Sequence, residues 1–404
     1  MGLRQYLQLF RIRTLPTALL ILQLTRMPIV ASSVVLTLHV VSELERGYGA
    51  AGLVGTTTLI GTALGAPTLG RMIDRYGLRP VAALCGVVSC VYWLATPHLS
   101  YEVLLVAALP AGALVMPAGA ISRQVITALV PVERRRAAFS LDQVLLELAY
   151  MSGPVLVIFV STQYSTSLTL TGMGVAHGVL ALALWCLNPP IRSPEESAAP
   201  AAPRPALRTW VSARFVATLV VALGAAFILM GTELSAIAAL RASGDVEWTG
   251  VLLAGMGASS LLGGLVYGAA RRGLSQLTLM LLLTAFTLPV GLATETWWVL
   301  ALASVPMNFM CAPTLAATAE AVSRSVPHTV RGMAMGLQDS ATRLGLGLGS
   351  PVVGFVLDRA APGWGFVASA MGGLCFAAVG ATLSARQRQR HRRTEVPASP
   401  PQPV

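Results

Sequence analysis

Gly70-Arg71-Met72-Ile73-Asp74-Arg75-Tyr76-Gly77-Leu78-Arg79-Pro80 sets three arginines, an aspartate and two glycines between two long apolar runs. Gly70 and Gly77 allow a chain to leave one helix and turn tightly into the next. Asp74 can accept from backbone N–H groups or arginines, while Arg75 and Arg79 can pair with acids or lipid phosphates. A plain positive anchor between two spans is the simpler reading, but it needs neither Asp74 nor the glycines. The flanking runs, 49–69 and 81–97, are each near the ~20 residues that cross a bilayer.

The rest of the chain repeats this pattern. Of its 404 residues, 55% are hydrophobic and 11% charged, against about 25% charged in ordinary soluble domains. The mean hydropathy is +0.70. These values exclude a soluble enzyme, a disordered scaffold and a disulfide-stapled secreted domain. The net charge of +11 comes from 28 basic residues, all of them arginine. They cluster between apolar runs, so a positive-inside bias explains them and no nucleic-acid partner is expected. The five cysteines all fall inside apolar runs without metal-ligand spacing and read as small core residues. No metal or cofactor is expected. The absence of lysine and abundance of alanine suggest a GC-rich bacterial genome, hence a multi-pass protein of the bacterial inner membrane.

Twelve spans are expected, near 14–41, 49–69, 81–97, 102–126, 137–162 and 168–187, then 211–240, 248–270, 275–293, 297–322, 332–357 and 361–385. The first follows Arg4, Arg11 and Arg13 but is too long for a cleaved signal peptide. The domains are therefore a six-helix bundle at 1–188, a solvated linker at 189–210, a second bundle at 211–385 and a basic, Pro-rich tail at 386–404. With both termini cytoplasmic, 23 arginines fall on inner segments or span edges and only Arg46, Arg241 and Arg359 lie outside. Arg26 and Arg343 remain within spans.

The halves match each other. Pro110, Pro117 and Pro131 recur 196 positions later as Pro306, Pro313 and Pro327. Arg134, Asp142 and Pro154 recur 197 positions later as Arg331, Asp339 and Pro351. Gly61 and Gly70 recur 194 positions later as Gly255 and Gly264. Two bundles related by a pseudo-two-fold axis along the membrane normal would produce these series, and one bundle could rock against the other. With these repeats, the 70–80 loop resembles the signature loop of the major facilitator superfamily through Gly70, Asp74, Arg75 and Gly77. Arg79 stands one place later than that pattern's first basic residue. The second copy keeps Gly264, Arg271 and Arg272 but has Gly268 in place of the acid. The resemblance covers nearly the whole chain. It implies an all-α membrane fold of two six-helix bundles, a latch on the cytoplasmic side, and a secondary transporter acting as a monomer.

Ionisable residues at membrane depth are functional candidates. Arg26 lies about twelve residues into its span and Glu147 about ten into the fifth, roughly 18 and 15 Å deep. Similar depth permits an ion pair, and the resemblance makes helices 1 and 5 neighbours. Arg26 can hold an anionic group of a substrate or a deprotonated Glu147, and Glu147 can carry the coupling proton; a permanent structural ion pair is the other reading. Glu233, nearer the outer surface in the other half, is a second proton or cation candidate, or an acid solvated in the outer mouth. Asp142 and Asp339 fall in the first turns of their spans, where the helix dipole favours acids. They read as gating groups for Arg75 or Arg79, with Asp339 also paired to Arg343 four residues on. Gly153-Pro154 partly resembles the antiporter signature of drug exporters, and the proline permits a helix bend.

No phosphate-binding loop, metal cluster or nucleophile–base set is present, so an enzyme is not expected. The function expected is proton-coupled export of a small lipophilic or amphipathic compound by alternating access, since spans 1, 4, 7 and 10 are mostly Leu, Ala and Val. Membrane lipid is the other partner. Uptake of a nutrient or metabolite is the alternative; a non-transporting sensor or a lipid-acting membrane enzyme is the rival from another class.

Overall fold

The computed structural model describes residues 2–198, 205–270 and 273–394. Linker residues 199–204, Arg271 and Arg272 of the second loop copy, and the Pro-rich end at 395–404 lie outside them. A short α1 (Gly2–Phe10) precedes α2 (Leu15–Leu38), which closes in a π turn at His39–Glu43. The N-terminal half continues with α3 (Tyr48–Tyr76), α4 (Leu78–Ala95), α5 (Tyr101–Ala113), α6 (Ala118–Leu129), α7 (Arg135–Gln163) and α8 (Thr166–Leu187). Short α9 (Pro194–Ala198) and α10 (Leu207–Trp210) belong to the linker. The C-terminal half holds α11 (Ala213–Ser243), α12 (Thr249–Ala269), α13 (Gln276–Thr287), α14 (Trp297–Ser325), α15 (Arg331–Leu357) and α16 (Gly363–Thr394). The basic stretch after 386 therefore starts as a continuation of α16.

Eleven helices among the described residues are long and apolar enough to span a bilayer, and Gln276–Leu292 is a shorter apolar one. Its last five residues form a 3-10 helix begun at Leu288-Pro289. Twelve residues at 1.5 Å and five at 2.0 Å give roughly 28 Å. That nearly crosses the ~30 Å hydrocarbon layer, because the 3-10 segment is stretched. Large apolar side chains such as Leu53, Val106, Leu302 and Phe355 are exposed on the protein's surface, which suits contact with lipid.

The signature stretch departs from its expected form. α3 runs unbroken through Gly70 to Tyr76, and the turn is made by Gly77 alone, at φ +83°. Gly70 serves packing instead: a Cβ there would run into the Gly332 carbonyl of α15. The repeat also breaks its own symmetry. Pro110 and Pro117 flank an interruption between α5 and α6, whereas Pro306 and Pro313 lie inside the continuous α14. Of the cysteines, Cys85 and Cys311 are buried as expected, but Cys186 and Cys375 are exposed, because their helices turn those faces outward.

Helices within each half approach closely over small residues. Gly65 abuts the Ala113 backbone of α5, and Gly263 abuts the Phe309 backbone of α14; such contacts replace the hydrophobic driving force that lipid removes. Between the halves, α3 packs on α15 and α7 on α12.

Candidate substrate cavity

Three interlocking contacts close the molecule at the face that carries Gly77. Gly70 and Gly332 meet backbone to backbone, as do Ala66 and Gly336 one turn deeper. Asp74 then crosses to the other half: its carboxylate accepts from the Gly332 N–H at 2.8 Å and the Met333 N–H at 2.9 Å. These are orphan donors of the first turn of α15, where the dipole favours an anion. On the opposite seam, Ser140 lies against Gly268, and Arg136 donates to the Ala270 carbonyl at 3.1 Å. Tyr6 adds a bond to the Leu265 carbonyl at 2.8 Å.

The linker contributes a lock that sequence reading missed. Ser193 and Glu196 form a reciprocal capping box around α9, with bonds of 3.0 and 3.2 Å. Glu196 also accepts from both terminal nitrogens of Arg331, at 2.7 and 3.1 Å. Burial alone would raise the Glu196 pKa, but the Arg331 guanidinium and the Ser193 N–H outweigh it and hold the carboxyl below its ordinary value. The spacing Ser-x-x-Glu at 193–196 was the available signal.

Arg75 and Arg79 do not reach the gating acids. Arg75 lies over the Tyr76 ring at 5.0 Å. Arg79 donates to the Trp185 carbonyl at 3.1 Å and covers that indole at 5.0 Å, because α4 carries it towards α8 and away from α7.

At the other end the halves part. Positions for a Cβ at Gly47, Gly49, Gly52 and Gly55 near the start of α3, and at Gly250 and Gly255 on α12, have nothing within 4 Å. The contact between α3 and α15 reaches Leu59 and Gly347 near mid-helix. A cleft with about 1630 Å³ of empty space, open solvent included, lies between the halves above the closed face. Leu36, Leu59, Trp93, Met116 and Leu346 contribute apolar wall, and charge is confined to Arg26, Arg123, Asp142, Asp339 and Arg343.

One expected ion pair is replaced and the other is kept and extended. Arg26 pairs with Asp142 at 2.7 Å, not with Glu147, and it also donates to the Asp142 carbonyl at 3.2 Å. The Ser122 hydroxyl donates to the same Asp142 oxygen. Asp142 thus belongs to the cavity rather than to the latch. Asp339 pairs with Arg343 at 2.8 Å, as its spacing predicted, and with Arg123 of the other half at 3.5 Å. Arg123 stands near the end of the expected 102–126 span like an edge arginine, yet its place inside that span is the sequence signal for its role in the cleft.

Glu147 lies on the α7–α12 seam, where the Ser260 hydroxyl donates to it at 2.7 Å. Glu233, half-buried on α11, stands within electrostatic range of Glu147. Gly153 lets α7 approach α2: a Cβ would stand 2.8 Å from the Met27 carbonyl, and α7 continues through Pro154 without interruption. No group of three His, Cys, Asp or Glu among the described residues could hold a metal ion.

Solved structures share this fold. The human organic anion transporter MFSD10 superposes with a TM-score of 0.73 at 15% identity, covering 91% of this chain and 99% of that one. A bacterial homologue of the iron transporter ferroportin, in an outward-facing state, gives 0.72 at 16% identity over 92% and 100% of the two chains. The proton:xylose symporter XylE gives 0.68 at 15% identity over 90% and 94%. At such identities the likeness concerns the fold alone, and the cargoes of those proteins differ from one another. No curated protein matches the chain in sequence. The Major Facilitator Superfamily matches residues 19–276 and 269–403. With two bundles, a seal on one face and a charged cleft between them, the chain belongs to the major facilitator superfamily and is a multi-pass membrane transporter, not an enzyme.

Proposed function

We propose that this secondary transporter couples protons to the export of a small amphipathic compound, acting as a monomer in a bacterial inner membrane with the Gly77 face and both termini in the cytoplasm. The observation that carries the coupling is Glu147. It lies on a seam that must part when the molecule opens inward, and it accepts a hydrogen bond across that seam from the Ser260 hydroxyl. A carboxylate accepts that bond, whereas its protonated form can donate and turn elsewhere. Proton binding therefore bears on whether the seam holds, and Glu233 nearby is the natural second carrier. The amphipathic cargo follows from apolar walls above a charged floor. Export is favoured by the partial likeness of Gly153-Pro154 to the exporter signature, in which Val157 and Ile158 here replace the later glycine pair.

The test is survival of a bacterium stripped of its own pumps on a panel of toxic lipophilic compounds, with expression matched between variants. Wild type is expected to protect, and Glu147→Gln and Asp74→Asn to lose protection. Wild-type cells that accumulate the compounds, or gain no resistance to any, would overturn the export reading.

A further inference from the structure

The floor of the cleft holds three guanidiniums and two carboxylates. Arg26 and Asp142 balance each other one to one, both almost fully buried. The remaining acid, Asp339, is shared between Arg343 and Arg123. One positive charge is thus left over, and it sits with those two arginines. Arginine has no accessible neutral form, so the excess cannot be discharged by losing a proton. Glu147 and Glu233 are not in the lining of the cleft, and Glu147 is engaged with Ser260.

While the cleft is open, water solvates the extra charge. When the halves close over a cargo that water leaves, and an uncompensated cation at membrane depth is costly. A negative group on the cargo removes the cost. Arg123 is on α6 of one half and Arg343 on α15 of the other, so an anion held by both would also tie the halves together. A planar guanidinium suits a carboxylate, which it can meet with two parallel hydrogen bonds. Trp93, Leu59 and Leu346 offer apolar surface for the rest of the molecule.

We propose that the cargo is a small organic carboxylate, with one negative charge on an apolar body, and that Arg123 and Arg343 hold its carboxylate. This rests on the transporter reading above and names its substrate class. Asp339 is then the internal counter-ion that occupies the arginines between cycles.

Thermal unfolding of the purified protein in detergent would be followed with matched series of ligands. Each of three bodies (phenylbutyl, naphthylmethyl and decyl) would be offered as acid, primary amide and amine. At least one acid is expected to stabilise the protein and to bind tenfold or more tightly than its amide, with the amine weaker still. Arg343→Gln should lose that tenfold preference, Arg343→Lys should keep part of it, and Asp339→Asn should tighten the acid several-fold by freeing its second arginine. Size-exclusion profiles would confirm that each variant is folded. Amides or amines binding as well as acids, or no stabilisation by any acid, overturns the proposal. Flux in proteoliposomes separates the two readings: proton-coupled movement of amines but not acids leaves the transporter reading intact and removes this one. Acids that bind without moving do the reverse.

Discussion

Asp142 and Asp339 occupy the same place in the two halves, 197 positions apart, yet they do different work. Asp142 is closed in by one arginine of its own half and by Ser122, with its side chain 3% exposed. Asp339 faces the cleft at 18% exposure and divides itself between an arginine on its own helix and one from across the interface. The repeat supplied the acids but not their counter-ions. At the repeat's own offsets, Arg343 answers to Leu146 and Arg123 to Ala319. One half thus has a sealed structural pair and the other an adjustable one, which is the asymmetry a carrier needs if cargo is to compete for only one site.

The largest effect should separate these two acids directly. Asp142→Ala leaves Arg26 buried without its partner and should cost ~3–5 kcal/mol. Asp339→Ala should cost less than half as much, because Arg343, its nearer partner, is 26% exposed and can be solvated by water in the cleft. Chemical unfolding in detergent measures both, and equal losses would break the comparison. It can be sharpened by removing the sealed pair altogether. Arg26→Met combined with Asp142→Leu should return stability to within ~1 kcal/mol of wild type, since a packed apolar pair often replaces a buried ion pair without loss.

The next effect concerns the seal. Asp74→Asn replaces charge-assisted bonds to two N–H groups of α15 with weaker neutral ones, and Gly332→Ala places a Cβ against the Gly70 carbonyl and the Asp74 carboxylate. Each should weaken the closed face by ~1–3 kcal/mol. Alkylation of a cysteine placed at Leu69, which is buried beside Gly70 of the seal, should accelerate by tenfold or more in either variant.

The smallest effect should come from the linker lock and depends on pH. The Glu196 carboxyl is held below its ordinary value of 4.5, so its contact with Arg331 stabilises above that value. That contribution fades as the pH falls through the lower value of the closed state. Alkylation at the same Leu69 cysteine should therefore quicken at acid pH in a Glu196-containing chain. Glu196→Gln should remove that component of the pH profile while changing the neutral rate only slightly, because the amide keeps an acceptor for Arg331 and the carboxylate it replaces is still partly open to water, at 23% exposure.

Much of this protein was legible without coordinates, for local reasons. Apolar runs of spanning length, a signature loop, repeated prolines and acids and the Asp339–Arg343 spacing are properties of neighbouring residues, and they led to the membrane class, the near-twelve-span count, the two-bundle fold and one of the ion pairs. Counting along a helix also put Arg26 and Glu147 well inside their helices rather than at the ends. Depth is only one coordinate, however. Asp142 and Glu147 lie five residues apart, roughly 7.5 Å along the axis and 140° around it. The choice between them as partner for Arg26 depends on how α7 is rotated against α2. The same holds for Gly70, whose turn-like residue type conceals a packing role across the interface, and for Arg123, which resembles an edge arginine until α15 is placed beside it. Sequence determined which groups the spanning helices would contain and roughly how far along each helix they stand. Only the packing of one half on the other decided which charges meet and which remains unpaid, because helix rotation and inter-half contact are set by residues hundreds of positions away.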